Sequence, residues 1–420
     1  MSAVLLADRR AEVKERKAVL PSTVLLGSAS EEISIHRRDL LKERSFPMRI
    51  LFACGGTGGH INPALAVAKT IQSREPDAKI LFAGNPHGME AKLVPQAGYD
   101  FVPIKVKGFQ RQFNWHNLKN NVMAVAYLTT AGTRARQILR DFQPDIVMGT
   151  GGYVSGPVVM KAARLGYRTI AHEQNAFPGV TTKLLSKVVD KMLLAVEEAK
   201  RFLPEQTDCT VVGNPVREEF LLADRNKARR ALGVGNRVCI LSYGGSLGAR
   251  RINEAVADLM KWHCDTGKVY HIHATGSYGV DLLPSLLKER GVDPQKYDCL
   301  DIREYIDNMG ECYAAADLII SRAGAITLSE LQVAGRASIL IPSPNVAENH
   351  QYHNAMVLAD KDAAIVIEEK DLTGQLLCDK VEELIATPGR LKKLGDNAQS
   401  MAVFDSSERI YQEIQKLLAR

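Results

Sequence analysis

The sequence predicts an α/β protein built from two doubly wound domains, each with a parallel sheet covered by helices. Its 420 residues are more than one hydrophobic core usually organises. Short apolar runs alternate with helix-length segments of mixed polarity, a pattern typical of parallel sheets. A strand, a glycine-rich turn and a helix follow one another in both halves of the chain, near residues 48–63 and 238–250. Two such units indicate two nucleotide-type domains that face one cleft.

The strand-like runs form two series, separated by the turn signal Gly213-Asn214-Pro215. The first series comprises residues 50–53, 80–83, 101–104, 146–148, 169–171, 192–195 and 210–212, and the second comprises residues 238–242, 270–274, 318–321, 338–341 and 364–367. We therefore predict an N-terminal domain at 47–212 and a C-terminal domain at 213–404. A final helix at 405–420 is expected to pack back on the N-terminal domain. Residues 1–46 form an extension with no predicted role.

Composition restricts the class of protein. A hydrophobic content of 45% with 24% charged residues is ordinary for a globular protein. The net charge of +6 suits an anionic partner, although ordinary charge scatter explains it equally well. The seven cysteines include no C-x-x-C pair, which favours a reducing, cytoplasmic compartment without a disulfide framework or a zinc site. No apolar run reaches the roughly 18 residues that span a bilayer, and no signal-peptide core is present.

Two glycine loops follow strands of the first domain. The first reads Gly55-Gly56-Thr57-Gly58-Gly59-His60, and the second reads Thr150-Gly151-Gly152-Tyr153. The first lacks the lysine of a Walker P-loop. Glycine lets the backbone approach a ligand closely, and the N–H groups that open a helix attract anions. The two loops could hold a pyrophosphate between them, or they could be two unrelated tight turns.

Polar residues follow other strands. His172-Glu173-Gln174-Asn175 suits the hydroxyls of a sugar, and its spacing is not that of an H-E-x-x-H zinc site. In the second domain, Gly244-Gly245-Ser246-Leu247-Gly248 opens a helix and suits a nucleotide diphosphate. Glu330 lies about one turn inside another helix, where a carboxylate can accept both ribose hydroxyls or simply stabilise the helix dipole. A further polar cluster lies at 350–354.

A basic and apolar segment stands apart at 109–128. Lys105, Lys107, Arg111 and Lys119 accompany its apolar residues. Such a combination fits a patch that docks on an anionic membrane surface. A core helix with a solvated basic face explains it equally well.

Seven motifs occur in one order: G-G-T-G-G-H, G-G-Y-V-S-G-P, H-E-Q-N, V-V-G-N-P-V-R, G-G-S-x-G-A, S-R-A-G-A-x-T-x-S-E and Q-Y-x-N. The ordered set resembles the bacterial undecaprenyldiphospho-muramoylpentapeptide β-N-acetylglucosaminyltransferases over residues 48–420. The resemblance implies the GT-B fold, in which two Rossmann-like domains enclose an interdomain active site. It also implies transfer of N-acetylglucosamine (GlcNAc) from UDP-GlcNAc to the C4 hydroxyl of lipid I, the undecaprenyl-diphospho-MurNAc-pentapeptide. Lipid II for peptidoglycan synthesis is formed with inversion and without a metal ion or other cofactor.

The implied partners are UDP-GlcNAc, lipid I, an anionic inner-membrane surface reached from its cytoplasmic side, and other cell-wall synthesis proteins, with no nucleic acid. The implied acceptor-pyrophosphate residues are Gly55, Gly56, Gly151, Gly152 and Tyr153. The implied UDP-GlcNAc residues are Thr57, Gly58, Gly59, Asn175, Arg217, Ser246, Ile306, Ala325, Ile326, Thr327, Leu328, Ser329, Glu330 and Gln351. The chain departs from the family pattern in three places. The run at 108–113 differs from the G-x-R-x-K-G run of many relatives, residues 122–133 carry fewer aromatic and basic residues than relatives do, and the extension at 1–46 has no counterpart.

Inversion at the anomeric carbon requires a single displacement and a base that takes the acceptor proton. His60 and Glu173 are the candidate catalytic residues. We favour His60 because a neutral imidazole titrates in the useful range, and Glu173 could instead orient a neighbour. Two other readings stay open: a UDP-GlcNAc 2-epimerase and a non-catalytic membrane scaffold of the cell-wall machinery. An epimerase would convert UDP-GlcNAc without an acceptor.

Overall fold

The computed structural model describes residues 47–106 and 130–420. Both sheets lie in the compact unit Met48–Arg420. The predicted extension at 1–46 lies outside the described residues. So does the predicted membrane patch at 109–128 with Lys107, Arg111 and Lys119, whereas Lys105 is described.

The first sheet has seven parallel strands in the order β3-β2-β1-β4-β5-β6-β7. Their bounds are β1 Arg49–Ala53, β2 Lys79–Gly84, β3 Asp100–Pro103, β4 Ile146–Gly149, β5 Arg168–Glu173, β6 Lys191–Leu194 and β7 Cys209–Val211. The helices between them are α1 Gly58–Arg74, α2 Glu90–Gln96, α3 with its described part at 130–142, α4 Gly152–Arg164 and α5 Val180–Leu185. A 3₁₀ turn covers Glu197–Phe202.

Strand β1 shows why this sheet forms. Ile50 and Phe52 face one hydrophobic core with α1, while Leu51 and Ala53 face a second core with α3 and α4. All four side chains are fully buried. A strand that is apolar on both faces fits a parallel sheet covered on both sides.

The second sheet has six parallel strands in the order β10-β9-β8-β11-β12-β13. Their bounds are β8 Val238–Tyr243, β9 Val269–Ala274, β10 Leu300–Arg303, β11 Leu318–Ser321, β12 Ala337–Leu340 and β13 Ile365–Val366. The helices are α6 Glu218–Leu222, α7 Arg225–Ala231, α8 Arg250–Thr266, α9 Leu282–Glu289, α10 Met309–Ala315, α11 Ala325–Ala334, α12 His350–Ala359, α13 Gly374–Ala386 and α14 Arg390–Ser400. Two 3₁₀ turns cover Pro294–Lys296 and Ala347–Asn349.

The last helix, α15 Ser406–Leu418, packs on the first sheet rather than on the second. Ile410 and Ile414 are fully buried in the core that also contains Ile50. The Tyr411 hydroxyl donates to Glu75 at 3.0 Å, at the end of α1. The end of the chain therefore belongs to the N-terminal half of the fold.

Each sheet reverses its strand order at one point, between β1 and β4 in the first and between β8 and β11 in the second. Ligands of doubly wound sheets bind beyond the carboxyl ends of the strands at such switch points. All strand pairs are parallel, so the loops after these four strands lie at the same edges. Those loops, together with the helices that begin directly after them, contain most of the residues that the sequence predicts as functional.

Candidate functional site

The two glycine loops of the first domain meet at its switch point. Gly152 has φ +79°, and a Cβ there would lie 2.1 Å from the Gly55 carbonyl oxygen. Gly151 has φ +109°, and a Cβ there would lie 2.5 Å from Cδ2 of His60. Only glycine allows the loops this close approach. The predicted acceptor-side residues therefore lie close together, with Gly55 buried and Tyr153 exposed.

His60 lies in the first turn of α1, between the two loops. Its Nδ1 lies 3.1 Å from the Gly55 carbonyl and 3.3 Å from the Thr57 hydroxyl. A carbonyl only accepts, so Nδ1 carries the hydrogen and Nε2 keeps its lone pair. Thr150 donates its hydroxyl to the His60 carbonyl at 2.8 Å and fixes the helix end.

The surroundings of His60 set its protonation. Burial lowers the pKa of His60 below its ordinary value, and the Gly55 carbonyl and the charge of Glu173 oppose that effect. The charge of His350, at the start of α12 in the second domain, lowers it further. The imidazole is therefore neutral near pH 7, and residues of both domains influence it.

Glu173 ends β5 with its carboxylate fully engaged. Oε1 accepts from the backbone and side-chain N–H groups of Asn175, both at 2.9 Å. Oε2 accepts from the Gly179 N–H at 3.2 Å and from the Thr182 hydroxyl. Four donors leave little capacity to take a proton from a substrate. This geometry favours the orienting role over the role of a base.

Amide side chains join the two domains beside Glu173. Asn354 of α12 accepts from the Ala176 N–H at 2.9 Å and donates to Asn175 Oδ1 at 3.1 Å. Asn214 donates to the Gln174 carbonyl at 3.2 Å and to the Ser329 hydroxyl at 3.1 Å. Asn175 and Ser329, two predicted donor residues, therefore both lie at the domain junction.

The glycine turn after β8 forms the second face of the site. Gly248 has φ +85°, and a Cβ there would lie 2.2 Å from the Thr275 carbonyl. The exposed Ser246 accepts through its carbonyl from the Ser277 N–H at 3.3 Å. Gly276 donates to the Glu304 carbonyl at 3.0 Å, which brings the segment of Ile306 beside this turn. The predicted phosphate and uracil residues thus belong to adjoining loops.

Glu330 lies in α11, 8% exposed. Arg217 approaches it at 3.7 Å and pairs more closely with Glu219, at 2.7 Å. Burial raises the pKa of Glu330 to about 7, and Arg217 and the Tyr313 hydroxyl oppose the rise. Tyr313 also hydrogen-bonds the hydroxyl of Tyr243, the last residue of β8. The Glu330 carboxyl group is therefore connected to the strand that leads into the glycine turn.

The other predicted donor residues surround these groups. Ala325, Ile326 and Thr327 are partly exposed in the first turn of α11, whereas Leu328 is buried. Gln351 accepts from the Ser343 N–H at 2.9 Å. Thr57 is exposed, and Gly58 and Gly59 begin α1.

Sequence reasoning missed Glu90, the first residue of α2. Its side chain is 1% exposed and lies under the first glycine turn. It accepts from the Gly56 N–H at 3.1 Å and from the Asn85 N–H at 2.9 Å. The Gly56 N–H, which was predicted to face an acceptor pyrophosphate, therefore already has an acceptor. Gly84 and Gly88, both just before Glu90 in the sequence, were the available signal.

Residues 47–106 and 130–420 contain neither a candidate metal centre nor a candidate membrane span. No group of three or more histidine, cysteine, aspartate or glutamate side chains there could hold a metal ion. No helix there is long and apolar enough to cross a membrane.

Comparison with known proteins gives consistent matches over both domains. Residues 50–194 match the glycosyltransferase family 28 N-terminal domain, and residues 239–410 match the family 28 C-terminal domain. A protein of Acetivibrio thermocellus is 42% identical over 372 residues, 88% of this chain and 98% of its own. It is named UDP-N-acetylglucosamine–N-acetylmuramyl-(pentapeptide) pyrophosphoryl-undecaprenol N-acetylglucosamine transferase.

Two solved structures bear on the fold. Acinetobacter baumannii MurG is 28% identical with a TM-score of 0.69, covering 88% of this chain and 100% of its own. A UDP-GlcNAc 2-epimerase from Neisseria meningitidis is 14% identical with a TM-score of 0.61, covering 88% and 100%, and shares the fold alone. The predicted fold of two Rossmann-like domains of the GT-B type is confirmed.

Proposed function

The chain belongs to glycosyltransferase family 28, and on that basis we propose that it transfers GlcNAc from UDP-GlcNAc to the C4 hydroxyl of lipid I, forming lipid II. One observation supports this reaction above the others. The glycine loops and His60 follow the strands at one switch point, and the Ser246 turn and Glu330 follow the strands at the other. This arrangement offers an acceptor face and a nucleotide face to one reaction centre.

The chemistry is one displacement at C1 of GlcNAc. The acceptor oxygen forms a bond to C1 while the bond from C1 to the UDP oxygen breaks. The acceptor proton passes to Nε2 of His60, which is free because Nδ1 donates to Gly55. UDP leaves with the bonding electron pair, and the configuration at C1 inverts.

The second domain binds the donor. Glu330 accepts from the ribose hydroxyls, and the backbone near Ile306 contacts uracil. Ser246 and the N–H groups that open α8 face the phosphates, where they stabilise the charge of the leaving UDP without a metal ion. Arg217 is half-exposed beside Glu330 and is available to the same phosphates.

The first domain and its junction with the second bind the acceptor and the sugar. The loops at Gly55 and Gly151 cradle the acceptor pyrophosphate. Asn175 and Gln351 contact GlcNAc hydroxyls, and Glu173 holds Asn175 in place through two hydrogen bonds.

The reaction is tested by incubating the protein with UDP-GlcNAc, with and without a lipid I analogue. We expect release of UDP and a β-linked disaccharide only when the acceptor is present. Conversion of UDP-GlcNAc in the absence of acceptor would identify a 2-epimerase instead. The absence of product under both conditions would favour a non-catalytic membrane scaffold.

We also propose that the protein works on the cytoplasmic face of the cell membrane, docked at the surface. Beyond the predicted patch at 109–128, Val180, Leu184 and Val188 recur at four-residue spacing on and just after α5, each at least 42% exposed. Lys187 lies exposed among them. Apolar residues that insert, with lysines that face anionic headgroups, are the usual components of such docking.

Vesicle sedimentation tests the docking surface. Binding to anionic vesicles should exceed binding to neutral ones and weaken with salt. Changing Lys105, Lys107 and Arg111 to Glu should reduce it, as should the separate change Lys187→Glu, with activity on a soluble acceptor retained. If binding depends on neither lipid charge nor salt and is unchanged in both sets of variants, residues 1–46 would instead be the candidate docking segment.

A further inference from the structure

A single peptide unit lies between a buried carboxylate and the proposed base. The Gly55 carbonyl accepts from Nδ1 of His60 at 3.1 Å. The N–H of the same peptide, that of Gly56, donates to Oε2 of Glu90 at 3.1 Å. Imidazole, peptide and carboxylate therefore form one continuous hydrogen-bonded chain. We propose that Glu90 is a positioning residue that acts on His60 through the Gly55–Gly56 peptide, an inference that rests on the proposed function of His60 as the base.

The fold makes room for Glu90 at this position. A Cβ on Gly55 would lie 2.2 Å from Glu90 Oε1, and a Cβ on Gly88 would lie 2.3 Å from Oε2. A Cβ on Gly84 would lie 2.4 Å from Glu90 Cγ. Three glycines from two segments, the turn after β1 and the connection from β2 to α2, thus surround one side chain. Within residues 47–106 and 130–420, Glu90 forms no ion pair, so its charge is not neutralised by a described cation.

The second oxygen fixes the orientation of the carboxylate. Oε1 accepts from the Asn85 N–H at 2.9 Å, and Asn85 itself donates from its side chain to the Val106 carbonyl at 3.1 Å. Both carboxylate oxygens are held by backbone donors, as a buried carboxylate without a cation requires. Glu90 is therefore fixed in place, and it fixes the peptide above it.

The charge of Glu90 reaches the imidazole. Three ionisable groups on other elements act on the pKa of His60: Glu173 on β5 and Glu90 on α2 raise it, and His350 on α12 lowers it. Burial remains the largest influence and lowers it. Glu90 also contributes to the raised pKa of the buried Cys54 thiol, after burial itself.

This arrangement helps the base in two ways. A hydrogen bond from Gly56 to a carboxylate polarises the peptide, which makes the Gly55 oxygen a better acceptor. A better acceptor holds the proton on Nδ1, so that Nε2 faces the acceptor hydroxyl with its lone pair. When Nε2 takes the proton, the imidazolium is stabilised through the same chain, and no proton moves to Glu90.

The test compares Glu90→Gln with Glu90→Asp in the full chain. A glutamine must turn its amino group toward one of two N–H donors, so it loses both the charge and one hydrogen bond. An aspartate keeps the charge on a shorter side chain. Asp190→Asn is the matched control, because Asp190 also accepts a backbone N–H, that of Thr169 at 2.7 Å, at the opposite end of β5.

The direct readout is the NMR titration of the His60 imidazole, which requires no activity. We expect Glu90→Gln to lower the pKa of His60 and to increase the fraction of the tautomer with hydrogen on Nε2. Glu90→Asp should give a smaller change in the pKa, and Asp190→Asn none. An unchanged His60 titration and tautomer in folded Glu90→Gln would overturn the proposal.

Turnover measurements separate the proposed role of Glu90 from the proposed role of His60 as the base. We expect Glu90→Gln to reduce kcat about 10–100-fold at pH 7, with an unchanged KM for UDP-GlcNAc and an acidic limb of the pH profile moved to lower pH. A shifted His60 titration with normal kcat would support the hydrogen-bonded chain from Glu90 to His60 and would exclude His60 as the base. If Glu90→Gln does not fold, Glu90→Asp carries the test, and a wild-type pH profile and His60 titration in that variant would overturn the proposal.

Discussion

Glu330 gives the sharpest quantitative prediction, because burial favours its neutral carboxyl group whereas its proposed contact with the ribose favours the ionised one. Burial raises its pKa to about 7, whereas ribose hydroxyls bind best to the ionised carboxylate. About a tenth of the groups are ionised at pH 6 and about nine tenths at pH 8. If only the ionised form binds, the affinity for UDP-GlcNAc should rise about tenfold between these values.

The variant Glu330→Gln removes this carboxylate. It should weaken UDP-GlcNAc binding at pH 8 by about 1–3 kcal/mol, the usual contribution of a hydrogen bond to a charged group, and it should abolish the pH dependence. Calorimetry with UDP-GlcNAc between pH 6 and pH 8 measures both effects, since its diphosphate is doubly esterified and does not titrate there. Ser246→Ala is the control: it should bind more weakly but keep the tenfold dependence.

The same substitution should stabilise the unliganded protein at high pH. A glutamate whose folded pKa is raised contributes its full stability below its unfolded pKa of about 4.5, and that stability is lost as pH rises through about 7. The loss amounts to about 3 kcal/mol by pH 8. Glu330→Gln should therefore unfold at higher urea than wild type at pH 8. A wild-type affinity that is flat from pH 6 to 8, or a variant that keeps the tenfold dependence, would show that the ionised Glu330 carboxylate does not bind the ribose.

Three further predictions concern the metal, the buried histidines and the glycine loops. Turnover should survive excess chelator, because backbone N–H groups and helix ends neutralise the phosphates; complete loss restored by magnesium would contradict this. Burial lowers the pKa values of His263 and His273 to about 3, so the free energy of unfolding should fall below pH 6.5 by about 1.4 kcal/mol per pH unit for each. Urea unfolding at pH 5 and pH 7 should show this slope, and His273→Gln should make it shallower. Gly152→Ala should destabilise by about 1–3 kcal/mol more than Gly166→Ala, because both have positive φ but only Gly152 would press its Cβ against the Gly55 carbonyl. Equal melting temperatures for the two variants would show that the loops separate freely.

The sequence predicted twelve of the strands because buried parallel strands are continuous apolar runs, and the structure places strands at each of those positions. It missed β10, Leu300–Arg303, for a physical reason. This edge strand is only half-buried and alternates apolar with charged residues, and Asp301 pairs with Arg303 two residues away on the same face. An edge strand does not need the apolar continuity of a central one.

The motifs located the loops of the site but not their connections. Glu173 stands in a motif, yet only the structure shows that four donors occupy its carboxylate. Glu90 lies in no motif, because its partners come from segments that only the parallel sheet brings together. Asn354 was visible within a polar cluster, while its partner at Ala176 depends on the domain junction. Local patterns thus predict strands and turns, whereas hydrogen bonds between distant segments require the folded chain.

In the proposed reaction, His60 removes the acceptor proton while the second domain holds the donor. The most direct test is the turnover of His60→Ala at saturating UDP-GlcNAc and acceptor, paired with calorimetry of UDP-GlcNAc binding. We predict a fall in kcat of roughly 10²–10⁴-fold with donor affinity unchanged. Near-normal kcat in the folded variant would contradict the claim and return the role of base to Glu173 or to no dedicated residue.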